Sequence, residues 1–214
     1  MSAGRAASGE PVGVGKPRIG LLGGSFDPVH SAHVDLARAA LEQLALDHVE
    51  LLPAADPWQR RPLGASARQR QTMLELATAD HPRLLVNPVE LERGGKTYTI
   101  DTVSQLPDTA QYIWILGTDQ LQNFCSWHRW RDILGHVTLA VAQRPGSALQ
   151  PPAELADALD SLGAGLLHID FTPQNISATD VRRRIAAGEP TDDCLPPAVA
   201  RYIGQHQLYL SYPA

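Results

Sequence analysis

The chain has 214 residues, 43% of them hydrophobic and 19% charged, with a formal net charge of −5. Those values suit one globular domain able to bury about 70% of its unfolded surface without staples. The acidic balance argues against broad binding to nucleic acid or anionic membranes, while leaving room for a local basic pocket.

Residues 1–17 are rich in Gly, Ala, Ser and Pro and lack an apolar core. They read as a flexible extension rather than a signal peptide, ahead of a domain over 18–214. Two cysteines, Cys125 and Cys194, without C-x-x-C spacing speak against a zinc or disulfide framework. No apolar run reaches membrane-spanning length, so the expected location is the reducing cytoplasm.

From Arg18 onward, strand-like and helix-like segments alternate. Ile19, Gly20, Leu21 and Leu22 form a first buried strand. Val34, Ala37, Leu41 and Leu44 then recur at helical spacing. A second strand spans 49–53, and 54–65 is a loop punctuated by Pro57, Pro62 and Gly64. Ser66 with Gln69 three positions on reads as a capping box for a helix to about Thr78. Residues 84–86 form a third strand, 93–96 a break, and 97–106 an extended start followed by a short helix. A strong apolar strand over 112–117 ends at Gly117, and a short helix is expected from about Ser126 to Leu134. A fifth strand covers 137–142, a helix 153–162 and a sixth strand 166–169. Helices near 177–187 and 197–206 finish the chain. This alternation predicts an α/β, Rossmann-like, doubly wound fold, with a mostly parallel sheet and helices on both faces.

In such sheets ligands bind beyond the carboxyl ends of strands. Three groups of polar residues fall there. The first is the run Gly23, Gly24, Ser25, Phe26, Asp27, Pro28, Val29, His30, with His33 after it. Glycines allow close backbone approach, and a helix start beside them is an anion site. His30 and His33, three apart, share one helix face if the helix begins near His30. The second group is Gly117 with Asp119. The third is Ile176, Ser177, Thr179 and Arg182, where Ser177 and Asp180 suggest a capping box and Arg182 points away from the apolar face of Val181 and Ile185. Hydroxyls, N–H groups and a guanidinium together make a polyphosphate clamp.

The first run resembles the G-G-[ST]-F-D-P-x-H-x-x-H pattern of the nucleotidyltransferase superfamily. The third resembles its I-S-[AST]-T-x-[IV]-R signature. Other stretches are similar to bacterial nicotinate-mononucleotide adenylyltransferases. They include Lys96 to Thr102, Gly117 to Asp119, Ser126 to Trp130, Gln143 to Gly146 and Leu195 to Tyr209. The resemblance implies transfer of AMP from ATP to nicotinate mononucleotide, with release of pyrophosphate, in NAD biosynthesis. It places ATP on residues 23–27, His30, His33, Gly117, Asp119, Ile176, Ser177, Thr179 and Arg182. His30, His33 and Arg182 are the catalytic set. The mononucleotide is expected at Thr99, Trp127, Gln59, Arg60 and Arg144. Mg²⁺ is expected to arrive on the ATP phosphates, since no carboxylate cage is visible.

Two departures stand out. Ala32 replaces the usual glycine between the histidines, and Pro57, Trp58 and Gln59 replace a histidine-bearing loop. Alternatives remain at single residues: Trp127 as a core tryptophan, Thr99 as a plain strand former, Asp119 as a ribose ligand or a helix cap. At the level of function, the alternatives are a sister adenylyltransferase using nicotinamide mononucleotide or phosphopantetheine, and a nucleotide-binding sensor without catalysis.

Overall fold

A computed structural model of the chain describes residues 15–57, 63–172, 174 and 176–211. Its main sheet has six strands: β1 (Arg18–Gly24), β2 (His48–Pro53), β4 (Leu84–Val86), β6 (Gln111–Gly117), β7 (Thr138–Gln143) and β8 (Leu167–Asp170). They lie in the order β4-β2-β1-β6-β7-β8, and every pairing is parallel. The chain winds outward from β1 through β2 to β4, then returns to β6 and winds the other way. The β1/β6 boundary is therefore the topological switch point, where a doubly wound sheet opens a crevice.

The period-two alternation of each strand divides the core into two layers. Leu22, Leu51, Ile113, Ile115, Ala140 and Ala142 face one side. There they meet α1 (Ser31–Gln43), α2 (Ala67–Thr78), α8 (Ala178–Ala187) and α9 (Pro197–Gln205). Leu21, Leu52, Trp114, Leu116, Leu139 and Val141 face the other. They pack with α4 (Thr99–Val103), α5 (Thr118–Asn123), α6 (Trp130–Ile133) and α7 (Ala153–Leu162). Each such leucine, isoleucine or valine, fully buried, contributes about 1.5–3 kcal/mol.

The capping box at Ser66 forms as expected: Gln69 N–H donates to Ser66 Oγ, and Gln69 Oε1 accepts from Ser66 N–H at 2.9 Å. Three short elements go beyond the sequence reading: α3 (Val89–Arg93), α5, and a two-stranded sheet of β3 (Asp56–Pro57) and β5 (Lys96–Thr97). One expectation is corrected. The helix anticipated from Ser126 to Leu134 is broken into a 3-10 turn (Phe124–Ser126) and α6. Trp127 is extended and Arg129 sits at φ 52°, so a continuous helix cannot form between them.

Residues 1–14 lie outside the described residues, but the end of the expected extension is already engaged. Gln111 N–H donates to the Pro17 carbonyl at 2.7 Å, and Lys16 pairs with Asp108. At the far edge, the Gln43 amide brackets Asp170, donating to its carbonyl at 2.9 Å and accepting from its N–H at 2.8 Å. Among the described residues no helix is long and apolar enough to cross a membrane.

Candidate active site

The loop after β1 brings its chemistry to the switch point. Trp114 and the Phe26 ring, rather than a ligand, occupy the space that the paired glycines leave open. A Cβ at Gly23 would meet Trp114 Cζ2 at 2.7 Å, and one at Gly24 would meet Phe26 Cζ at 3.1 Å. Phe26 is buried at φ 47° and stands edge-on to His33, ring centroids 5.0 Å apart.

Helix α1 begins with His30 as its N-cap, so the two histidines do share a face. Their rings stack at 3.7 Å between centroids with a 33° tilt. The His30 backbone N–H donates to His33 Nδ1 at 3.3 Å. An accepting Nδ1 puts the proton of a neutral His33 on Nε2. Burial pushes the pKa of His30 down to about 4, so at neutral pH it is an uncharged ring. Its Nδ1 is buried without a hydrogen-bond partner among the described residues.

The start of α1 differs from a row of free amides. Ser31 N–H goes to the Cys194 carbonyl at 2.9 Å and His33 N–H to the His30 carbonyl at 3.0 Å. With His30 N–H also engaged, the imidazoles and the helix dipole are what this end presents.

Asp27 is only 2% exposed. One carboxylate oxygen accepts from Gly64 N–H at 2.7 Å. The other accepts from Ala65 N–H at 3.0 Å and from the Tyr209 hydroxyl at 2.8 Å. Its side chain is thus committed to tying the loop down.

Arg182, expected to point away from the apolar face of α8, is nonetheless buried. It donates through Nη1 to the Asp27 carbonyl and through Nη2 to Thr179 Oγ1, the latter at 3.1 Å. Nη1 also lies 3.8 Å from Asp27 Oδ2. The two motifs, 155 positions apart, are therefore bonded to each other at the carboxyl end of β1. Ser177 caps α8 by accepting from Asp180 N–H at 3.0 Å. The Asp180 carboxylate does not complete a box, because it pairs instead with Arg183 at 3.1 Å and Arg184 at 2.9 Å. Thr179 and Ser177 are exposed at this helix start, with Ile176 half-buried before them.

Arg70 was not anticipated. It is 1% exposed and donates to the Ser25 carbonyl at 2.7 Å and the Ala55 carbonyl at 3.3 Å, joining the ends of β1 and β2. Burial lowers its pKa, and the nearby Asp27 charge opposes that shift. The sequence did carry a signal. Arg70 stands on the same helical stripe as buried Met73, Leu74 and Ala77, a charged residue on an apolar face.

The remaining candidates lie along the β6 side. Gly117 caps α5, and Asp119 is exposed in its first turn. Thr99 opens α4, half-buried, directly after Tyr98, whose ring stacks on His128 at 4.7 Å. Thr99 and Trp127 are thus each next to a member of a touching pair. Trp127 is half-buried, edge-on to Trp114 at 6.3 Å and tilted on Phe124 at 5.2 Å. Its buried Nε1 has no hydrogen-bond partner among the described residues. Arg144 is exposed just past β7. Gln59 and Arg60 lie outside the described residues.

Among the described residues no group of three or more His, Cys, Asp or Glu could hold a metal ion.

Comparison with known proteins bears on the family and the fold. The family described as cytidylyltransferase-like matches residues 21–184. A Bordetella pertussis protein named probable nicotinate-nucleotide adenylyltransferase is 59% identical over 92% of this chain and 100% of its own length. A Neisseria meningitidis serogroup B protein of the same name is 42% identical, over 90% of this chain and 98% of its own. Among solved structures, Plasmodium falciparum nicotinic acid mononucleotide adenylyltransferase complexed with NaAD has a TM-score of 0.72 at 16% identity. It covers 90% of this chain and 97% of that one, a likeness of fold. The chain belongs to the cytidylyltransferase-like nucleotidyltransferases and, within them, to the nicotinate-nucleotide adenylyltransferase family.

Proposed function

We propose that the β1/β6 crevice holds ATP with its triphosphate between the starts of α1 and α8, and carries out the adenylyl transfer for which the family is named. A 5′-phosphate oxygen of nicotinate mononucleotide attacks the α-phosphorus of ATP. The bond from that phosphorus to the α–β bridging oxygen breaks, and pyrophosphate leaves with the bonding electron pair. The product is nicotinate adenine dinucleotide. The observation that carries this reading is the bond from Arg182 to Asp27, which joins both phosphate motifs in one place.

A phosphate monoester has its second pKa near ~6, so the nucleophile is already largely dianionic at neutral pH. No side chain need remove a proton. His30 fits that requirement: a ring with a pKa of about 4 is a hydrogen-bond donor at pH 7, not a stored charge. A phosphate oxygen at its Nδ1, which has no hydrogen-bond partner among the described residues, would satisfy a buried polar atom that otherwise costs about 1–3 kcal/mol. His33, ring on ring with His30, would face the same phosphates. Arg182, Thr179 and Ser177 would steady the leaving pyrophosphate, and the Asp27 side chain would serve as a strut. Catalysis is then positioning plus charge stabilisation. Mg²⁺ bound to the phosphates would supply further neutralisation of their charge.

On the acceptor side, Trp127 presents a ring face for the flat, cationic pyridinium, with Thr99 beside it as a donor. Asp119 at the start of α5 is placed for a ribose hydroxyl. The free cysteines Cys125 and Cys194 agree with a reducing cytoplasm as the place of the reaction. The test is release of pyrophosphate and formation of the dinucleotide from ATP plus nicotinate mononucleotide, with the amide mononucleotide and phosphopantetheine as competing acceptors. Turnover with another acceptor alone, or none with any, would overturn the reading.

A further inference from the structure

Four distant segments converge on the Asp27 carboxylate: its own loop, the Gly64–Ala65 pair before α2, Arg182 of α8, and Tyr209 beyond α9. Tyr209 stands 182 positions from Asp27 in sequence. We propose that Tyr209 is a positioning residue for the triphosphate grip, its hydroxyl fixing the carboxylate that in turn sets where Arg182 lies. The proposal rests on the reading of Arg182 as a pyrophosphate ligand.

Three independent observations support it. Tyr209 is held at φ 66° and Gln207 at φ 51°, both in the left-handed region that disfavours side-chain-bearing residues. Such strain persists only where surrounding structure over-determines it, and here the Tyr209 ring, 6% exposed, is driven inward. The ring also needs the space at Gly64, where a Cβ would stand 2.8 Å from both Cδ1 and Cε1 of Tyr209. Finally, Arg182 Nη1 donates to the Asp27 carbonyl and lies 3.8 Å from Asp27 Oδ2, so the orientation of that carboxylate acts on the guanidinium through charge. Burial and the neighbouring carboxylate raise the phenol's pKa, so Tyr209 stays a donor across the working pH range.

Without the hydroxyl, Asp27 Oδ1 keeps only the Ala65 N–H, and the less neutralised carboxylate, whose Oδ2 lies 3.8 Å from Arg182 Nη1, draws more strongly on the guanidinium. The guanidinium is then pulled back from the β- and γ-phosphates. A structural defect would instead lower the active fraction, reducing the apparent kcat with both KM values unchanged. The experiment is steady-state kinetics of Tyr209→Phe, which keeps the ring against Gly64. The expected result is a KM for ATP raised about three- to tenfold, with the KM for the mononucleotide unchanged. Gly64→Ala, which displaces the ring, should give the same split, and the double variant should fall short of the sum of the two effects. Equal change in both KM values, no change in either, or strict additivity would overturn the proposal. If Tyr209→Phe does not fold, as judged by circular dichroism, Gly64→Ala decides alone. Wild-type turnover separates the two readings: with it present and the ATP KM unmoved in the variants, only the role of Tyr209 falls; without it, both do.

Discussion

Trp114 stands in the volume that a side chain at Gly23 would need, its Cζ2 2.7 Å from the site of a Cβ. The indole is rigid, 3% exposed and wedged in the second core layer, so it cannot swing away. Gly23→Ala should therefore destabilise the protein by about 1–3 kcal/mol, as other overpacked cores are. Urea unfolding would show it, and Trp114→Phe in the same chain should recover part of the loss. Equal stability of wild type and Gly23→Ala would contradict the packing account.

The buried imidazole of His30 makes stability depend on pH. Its folded pKa, about 4, lies below the unfolded 6.5, so between these values the unfolded chain binds the extra proton. The contribution is complete above pH 6.5 and is lost as pH falls towards 4. The loss is about 2 kcal/mol between pH 6.5 and pH 5. Urea melts at the two pH values should show this difference in wild type and not in His30→Gln. Parallel curves would remove the desolvation argument.

His33 is half-buried, with its ring on that of His30 and its Nδ1 accepting from the His30 N–H, so its loss should damage turnover more than folding. His33→Ala should lower kcat about 10²- to 10³-fold, the scale for removing one preorganised donor from a reacting oxygen. Circular dichroism should be unchanged. A purified variant with near-normal turnover would end the assignment.

Trp127 separates the two substrates. Trp127→Ala should raise the KM for the mononucleotide up to about tenfold, the scale of a lost aromatic contact, while the KM for ATP moves little. Substrate-saturation curves for each substrate, run at a fixed excess of the other, measure this. An unmoved mononucleotide KM would remove the stacking role and leave Trp127 as core.

A last prediction concerns the clasp between α3 and α4. Glu90, 3% exposed, accepts from Thr102 Oγ1 at 2.7 Å, and Arg93 donates to that hydroxyl at 2.8 Å. Burial raises the Glu90 pKa against the opposing pull of Thr102 and Arg93. A folded pKa above the unfolded one means the native state holds the proton longer. This contribution is complete below pH 4.5 and is lost as pH rises through the folded value. Glu90→Gln, which stays neutral and can still accept from Thr102, should melt higher relative to wild type at pH 8 than at pH 5. The reverse order would show that the attraction of the Arg93 charge dominates.

What could be read from sequence followed the length of each signal. Helix α7 matches its expected span, and α2 was announced by its cap, because each holds enough turns to repeat an apolar face. Helices α3 and α5 are too short to show a period, and the break at Arg129 depends on a backbone angle that its residue type does not advertise. The histidine pair and Arg182 were legible because their motifs are local strings. The Asp27 junction was not. Gly64 and Tyr209 earn their places only through contacts that folding creates, and a glycine in a loop or a tyrosine near a terminus looks like many others.

Gln43, at the end of α1, reads the N–H and C=O of Asp170 much as a seventh strand would. A side-chain amide thus stoppers the margin of β8 where another chain's backbone could otherwise zip on. Copies of this protein meeting at high concentration gain little from joining sheets there, so Gln43→Ala should expose a sticky seam without touching the chemistry at the sheet's centre.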